Sequence, residues 1–189
     1  MEVIKHNIKS KKPYCILGVV NNEAGREIEK EMLRWLLKSY RVIEIIHDGS
    51  QYEYPALSFM QEHCIETMQP CLYIHTRGAF HRWNTTKPTH RMWEYEFGKC
   101  SKKYFSAVDT IEATVACPFS GVENHTWYNG FVANAKAMDV IGELLQPTDR
   151  MYYEHIFKDK DVQVIGMLIN SKKDNGLKDA RRYLLEHYK

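Results

Sequence analysis

Three short polar clusters carry the residue types that hold charged ligands: Asn21-Asn22-Glu23, Asp48-Gly49-Ser50 and His75-Thr76-Arg77-Gly78. The third is the richest. An imidazole and a guanidinium leave an apolar run two residues apart, and in extended backbone such residues project to the same side. Arg77 suits bidentate contact with phosphate or carboxylate oxygens. Gly78 permits close approach of backbone to a ligand. A strand-end histidine held by backbone beside a solvated arginine is the other reading of the same residues.

Several chemistries lack their residues. No GxGxxG follows the first apolar run, where Gly18 stands alone, so a dinucleotide dehydrogenase is disfavoured. GxxxxGK[ST] is absent, as is a nucleophile elbow. Nine histidines are present, but neither HExxH nor a paired ligand spacing accompanies them, which disfavours zinc. The five cysteines, Cys15, Cys64, Cys71, Cys100 and Cys117, form no CxxC pair and read as free thiols.

The elements that must position these clusters follow from the apolar pattern. Tyr14–Val20 is a continuous apolar run of strand length that reads as buried on both faces, and Arg41–His47 and the short Cys71–His75 read as the next two strands. Ala24–Tyr40 places Ile28, Met32, Trp35, Leu36 and Tyr40 near helical spacing, and Pro55–Met68 opens with proline in its first turn and stops at Pro70. Strand, helix, strand, helix, strand predicts a parallel sheet with crossover helices. Ligands of such sheets bind outside the carboxyl ends of the strands, where all three clusters lie.

Further along, helix is predicted over Thr89–Tyr104, a strand within Ser106–Cys117 near Ala107 or Thr114, and a loop over Pro118–Asn129. A short strand at Gly130–Ala133, helices at Lys136–Leu145 and about Arg150–Phe157, a strand at Val162–Ile169 and a charged helix over the last dozen residues complete the pattern. The 189 residues suit one domain, 1–189, able to bury a core without disulfides or structural metal. Net charge is +2, too mild for a nucleic-acid partner. The polar, basic Met1–Lys12 has no apolar stretch of a secretory signal, and no run approaches the length of a transmembrane helix. The expected location is the cytoplasm, with peripheral work at the inner membrane surface compatible with it. Oligomeric state is left open.

Cys71–Phe80, CLYIHTRGAF, resembles the YxHTKGA strand-and-loop of bacterial polysaccharide-biosynthesis proteins related to the rhamnan-synthesis proteins. Tyr52-Glu53-Tyr54-Pro55-Ala56-Leu57 resembles their YE-x-P-x-L helix start, and His90-Arg91-Met92-Trp93-Glu94-Tyr95 their Trp- and Arg-rich helix. Val108-Asp109 matches a yD strand, His125 through Ala133 an H-x-x-GN-FWWA loop, and Arg150 with Glu154 an R-x-x-x-E helix. The likeness spans about residues 14–170. Asn129-Gly130 and Phe131-Val132 depart from the loop pattern.

The resemblance implies a Rossmann-like, GT-A-type three-layer α/β sandwich with a mostly parallel sheet. It implies a glycosyltransferase that moves a sugar from a nucleotide sugar to a glycan or lipid-linked acceptor in cell-surface polysaccharide synthesis. Asn22, Asp48, Glu53, His75, Arg77 and Asp109 then fall on the donor side, with Asp48 facing a ribose hydroxyl or serving only its turn. Glu154 is the implied base, or a solvated helix carboxylate. Because aromatic rings stack on sugar faces and Asn bonds hydroxyls, His125, Trp127 and Asn129 are candidate sugar contacts, with Trp127 equally a hydrophobic plug beneath its loop, and His81, Trp83 and His90 fall in an irregular segment able to close over the site. GT-A enzymes usually hold Mn²⁺ or Mg²⁺ on an Asp-x-Asp element. Here that place reads His75-Thr76-Arg77, which puts the oxygen-rich cation site in doubt. A non-catalytic module that binds a nucleotide sugar or glycan is the alternative.

Overall fold

The computed structural model describes residues 1–51, 53–76, 86–121, 124–126, 130–146, 155–170 and 176–188. Its first strand, β1 (Glu2–His6), lies in the N-terminal stretch whose polarity gives no strand signal. The three apolar runs are strands with the bounds their sequence indicates: β2 (Tyr14–Val20), β3 (Arg41–His47) and β4 (Cys71–His75). Helix α1 (Glu23–Ser39) joins β2 to β3, and α2 (Tyr54–Thr67) joins β3 to β4. Asn22 caps α1 by accepting from the Gly25 amide at 2.7 Å, a contact that stabilises a helix start by about 1 kcal/mol. Met68, in the left-handed region at φ 53°, ends α2 two residues before Pro70.

After β4 the predicted single helix is three pieces: α3 (Thr86–Trp93), a π-helical segment (Glu94–Lys99) and α4 (Ser101–Val108). A side chain from α1's far end accounts for the break. The Tyr40 hydroxyl donates to the Phe97 carbonyl at 2.5 Å, and Ser39 Oγ donates to the Gly98 carbonyl at 3.4 Å. Carbonyls drawn outward in this way leave the regular ladder, and the Cys100 amide bonds five residues back, to Tyr95, at 3.1 Å. The widened turn directs Trp93, Glu96 and Phe97 inward together.

The rest of the chain is β5 (Thr114–Ser120), β6 (Phe131–Ala133), α5 (Ala135–Val140), β7 (Gln163–Asn170) and α6 (Gly176–His187). Of the two places offered for the next strand, Ala107 belongs to α4 and Thr114 opens it, and the loop expected from Pro118 starts only after Ser120. That strand runs through Pro118 to Ser120, because Pro118 sits at a register shift between Cys117 and Phe119 where a missing N–H breaks no ladder bond. The Lys136–Leu145 helix is shorter, ending at Val140, and residues 156–159 form a turn; 147–154 lie outside the described residues.

The strands form one sheet in the order β1-β3-β2-β4-β6-β5-β7. β2, β3, β4, β5 and β7 run one way, and β1 and β6 are reversed. The architecture is α/β with a mixed sheet covered on both faces. Alternation along β2 divides the core: Cys15, Leu17 and Val19 pack with α1, Met92, Trp93 and α6, while Ile16 packs with α2, α5 and Phe157. All five cysteines are free. Burial holds the Cys15 and Cys117 thiols well above their usual range, and for Cys64 contact with Cys71 contributes most. No helix among the described residues is long and apolar enough to cross a membrane.

Candidate functional site

The sheet changes direction of winding at β2: α1 leads from β2 out to β3, and α2 returns the chain to β4 on β2's other side. The carboxyl ends of β2 and β4 lie side by side there, at the end of the sheet whose crevice open α/β folds use for ligands. Three bonds hold its floor. The Asn21 amide donates to the His47 carbonyl at 2.7 Å, the Val20 amide to Thr76 Oγ1 at 3.0 Å, and the Thr76 amide to the Gly18 carbonyl at 2.8 Å. The ends of β3, β2 and β4 are thereby one rigid edge, and the three polar clusters of the sequence meet there.

Along one wall, β4 turns Tyr73 and His75 to the same side, toward the start of α2. Glu53 occupies the N-cap position of α2 without capping it. Its carboxylate instead meets His75 Nε2 at 3.3 Å and accepts from the Tyr73 hydroxyl at 3.5 Å. Gly18 permits this arrangement: a Cβ there would lie 3.1 Å from Ala56 Cβ and 3.3 Å from His75 Cβ. His75 also makes a T-shaped contact with Trp93, with ring centroids 5.7 Å apart at 66°. Gly130, the residue that departs from the loop pattern of the resemblance, is required by the same indole. A Cβ at Gly130 would stand 2.3 Å from Trp93 Nε1.

Asn22 and Asp48 lie at the crevice but are engaged locally. Asn22 Oδ1 is the α1 cap. Asp48 Oδ1 accepts from Ser50 Oγ at 2.6 Å and from the Ser50 amide at 2.8 Å, and these bonds hold the exposed carboxyl below its usual range. Next to it His47, buried at the end of β3, accepts from the Gly49 amide through Nδ1 at 3.1 Å. Burial depresses its basicity, only partly opposed by Asp48. Protonation would turn the acceptor Nδ1 into a donor and break the turn that presents Asp48.

The unfolded chain binds that proton at the ordinary pKa of 6.5, the folded protein only at lower pH. Stability is therefore complete above about pH 6.5 and falls as pH drops through that value toward the depressed one. His63, also depressed by burial, adds in the same direction. Urea unfolding between pH 8 and pH 5 should show the decline, and His47→Gln should flatten it in part. An unchanged slope would place the titration elsewhere.

Not every predicted residue reaches the crevice. Asp109 follows α4 as its exposed C-cap, five residues before β5 begins, at the opposite edge of the sheet. The polar helix end, not a strand, accounts for Val108-Asp109. His90 lies within α3, its ring 5.8 Å from Trp93, not in an irregular closing segment. His125 is buried beside β5. Its ring stacks on His155 at 4.0 Å, and its carbonyl accepts from Gly121 at 3.0 Å as Thr126 bridges back to Ser120. Arg77, Gly78, His81, Trp83, Trp127, Asn129 and Glu154 lie outside the described residues.

Two polar centres carry no sequence expectation. Asn134 caps α5 and ties it to the segment before β5, a role that an Asn ahead of Ala135–Val140 signals. Glu96 is buried in the π-helical segment, bound by the Tyr104 hydroxyl at 2.7 Å, Lys103 Nζ at 2.5 Å and the Tyr188 hydroxyl at 3.2 Å. Nothing in its neighbours marks that burial.

A divalent cation held against a diphosphate wants several carboxylate oxygens. The described donors at the end of β4 are His75, Thr76 and Glu53, and the one carboxylate is already joined to His75 and Tyr73. This set does not fit Mn²⁺ or Mg²⁺. Among the described residues no group of three His, Cys, Asp or Glu side chains is placed to hold a metal. No family model, curated protein or solved structure matches this chain.

Proposed function

We propose that the chain is a glycosyltransferase of GT-A type that seats a nucleotide sugar in the crevice between the carboxyl ends of β2 and β4. The observation that carries the reading is the convergence there of Asn22, Asp48, Glu53 and His75, on strand ends laced by the Asn21, Val20 and Thr76 bonds. The mixed sheet, with β6 reversed between two parallel blocks, and the likeness of the HTRGA element add support.

In this reading Asp48 and the turn that it closes face the ribose, while Arg77 beside His75 meets the diphosphate. The positive charge of Arg77 neutralises the leaving group as the sugar–diphosphate bond breaks. Glu154 takes the proton of the acceptor hydroxyl. The acceptor is a glycan or lipid-linked saccharide of cell-surface polysaccharide synthesis.

The engagement of Glu53 with His75, in place of an acidic pair free for a cation, favours one second reading: a non-catalytic module that holds a nucleotide sugar or glycan. Release of nucleotide from UDP-, GDP-, CMP- and dTDP-sugars without acceptor separates the two. The enzyme is expected to hydrolyse one donor slowly, and Glu154→Gln to lose transfer to acceptor at an unchanged melting temperature. Binding without release from any donor would establish the module instead.

A further inference from the structure

On the helical face that carries α3 and α6, away from the crevice residues, lies an open depression of about 520 Å³. Three tyrosines and a histidine form its walls as a continuous set of rings. Tyr183 stacks on His187 at 4.1 Å and 13°, Tyr188 stands 6.3 Å from Tyr183, and Tyr95 stands 6.4 Å from Tyr188. The rings are held in place. Tyr188 donates to the buried Glu96, which Lys103 and Tyr104 also bind, and His187 Nδ1 lies 2.9 Å from the Tyr183 carbonyl. The π-helical segment sets this geometry, because its extra residue per turn places Tyr95 outward and Glu96 inward.

Two cations rim the same depression. Arg91 and Lys99 are exposed, with Lys99 Nζ 5.7 Å from the Tyr95 ring. Against them stands the single carboxylate of Glu94, so the rim is net positive. Preorganised aromatic faces bearing hydroxyls, beside cations, recognise a molecule that combines flat C–H faces, hydroxyls and negative charge. An acidic saccharide has all three. A single nucleic-acid strand also stacks on aromatic rings, but it needs a long positive track, which a chain of net charge +2 does not offer.

We infer that this depression is a binding site for an anionic sugar unit, of uronic-acid type, on the acceptor chain. Its assignment to the acceptor rests on the glycosyltransferase reading. The saccharide ring lies on Tyr95 and Tyr183, and its carboxylate is met by Arg91 and Lys99. The acceptor is thereby gripped at a second point, which raises its effective concentration at the crevice.

Amide chemical shifts of the full chain test the site, with trigalacturonate, maltotriose and a thymidine trinucleotide as probes. Trigalacturonate is expected to move residues 91–99 and 183–188. Arg91→Glu with Lys99→Glu should weaken it roughly tenfold or more, as loss of a hydrogen bond to a charged group does, and Tyr95→Ala should weaken it in turn. Equal binding of maltotriose, tighter binding of the trinucleotide at these residues, or no movement there would overturn the site. UDP or GDP in the same samples should move residues 20–23, 47–53 and 76 instead. Nucleotide binding without trigalacturonate binding overturns this site alone. Trigalacturonate binding without nucleotide binding leaves a saccharide site and overturns the glycosyltransferase reading.

Discussion

Trp93→Ala is expected to destabilise the protein by about 3–5 kcal/mol, the range for truncating a large buried aromatic. Trp93 is wholly buried and joins three parts of the molecule. Its ring makes a T-shaped contact with His75 at the crevice, and its neighbour Phe97 packs on Tyr104 at 4.9 Å. Gly130, entering β6, lies against its indole nitrogen. Truncation opens a cavity among elements that cannot collapse together, because the sheet fixes two of them. Urea unfolding measures the loss. Among the described residues the Trp93 indole N–H meets no hydrogen-bond acceptor, so Trp93→Phe loses volume without stranding one and should cost distinctly less. Equal losses for the two substitutions would contradict a packing role.

Asn134→Ala is expected to cost about 2–4 kcal/mol, from a lost helix cap and buried groups left unpaired. The Asn134 oxygen accepts from the amides of Ala137 at 2.9 Å and Thr114 at 3.2 Å. Its amide group donates to the carbonyls of Glu112 at 2.7 Å and Val108 at 3.2 Å. One buried side chain thus closes the end of α4, the start of β5 and the start of α5. Asn134→Asp keeps the two acceptor bonds but turns a charge toward the carbonyls, so it should not restore stability. A loss below about 1 kcal/mol in the alanine variant would show that water replaces these bonds.

The crevice was legible in the sequence because its strands are buried on both faces. Tyr14–Val20 and Cys71–His75 are apolar almost throughout for that reason, Arg41–His47 is so but for Glu44 between its ends, and each strand ends where its polar cluster begins. The pairings within the crevice were not legible. Glu53 meets His75 only because Gly18 lets α2 start close to the sheet, a three-dimensional fact with no local signature. The edge strand β1 escaped for another reason: it is largely exposed and paired on one side only, whereas the three-residue β6 falls within the short strand expected at Gly130–Ala133. The π-helical segment depends on Tyr40, more than fifty residues earlier in the chain, and so the helical period of Thr89–Tyr104 predicted a single unbroken helix. Asp109 shows the opposite failure. A two-residue match to a motif carried no information about secondary structure, and the residue fell at the wrong edge of the sheet.

These contrasts bear on chemistry. A ligand at the β2–β4 edge would meet strand ends already tied together by the Asn21, Val20 and Thr76 bonds. Among the described residues, the side chains at that edge include the Glu53 carboxylate joined to the His75 imidazole, and an Asp48 turn whose charge Ser50 favours.

The central claim is that this crevice binds a nucleotide, and melting temperature in the presence of UDP, GDP, CMP and dTDP, each with and without Mn²⁺, tests it most directly. At a hundredfold excess over Kd a ligand stabilises by about 2.7 kcal/mol, or roughly 5–10 °C for a chain of this size. One nucleotide is expected to give such a shift, undiminished without Mn²⁺ because the described donors do not fit the cation. No shift with any of the four would contradict the account.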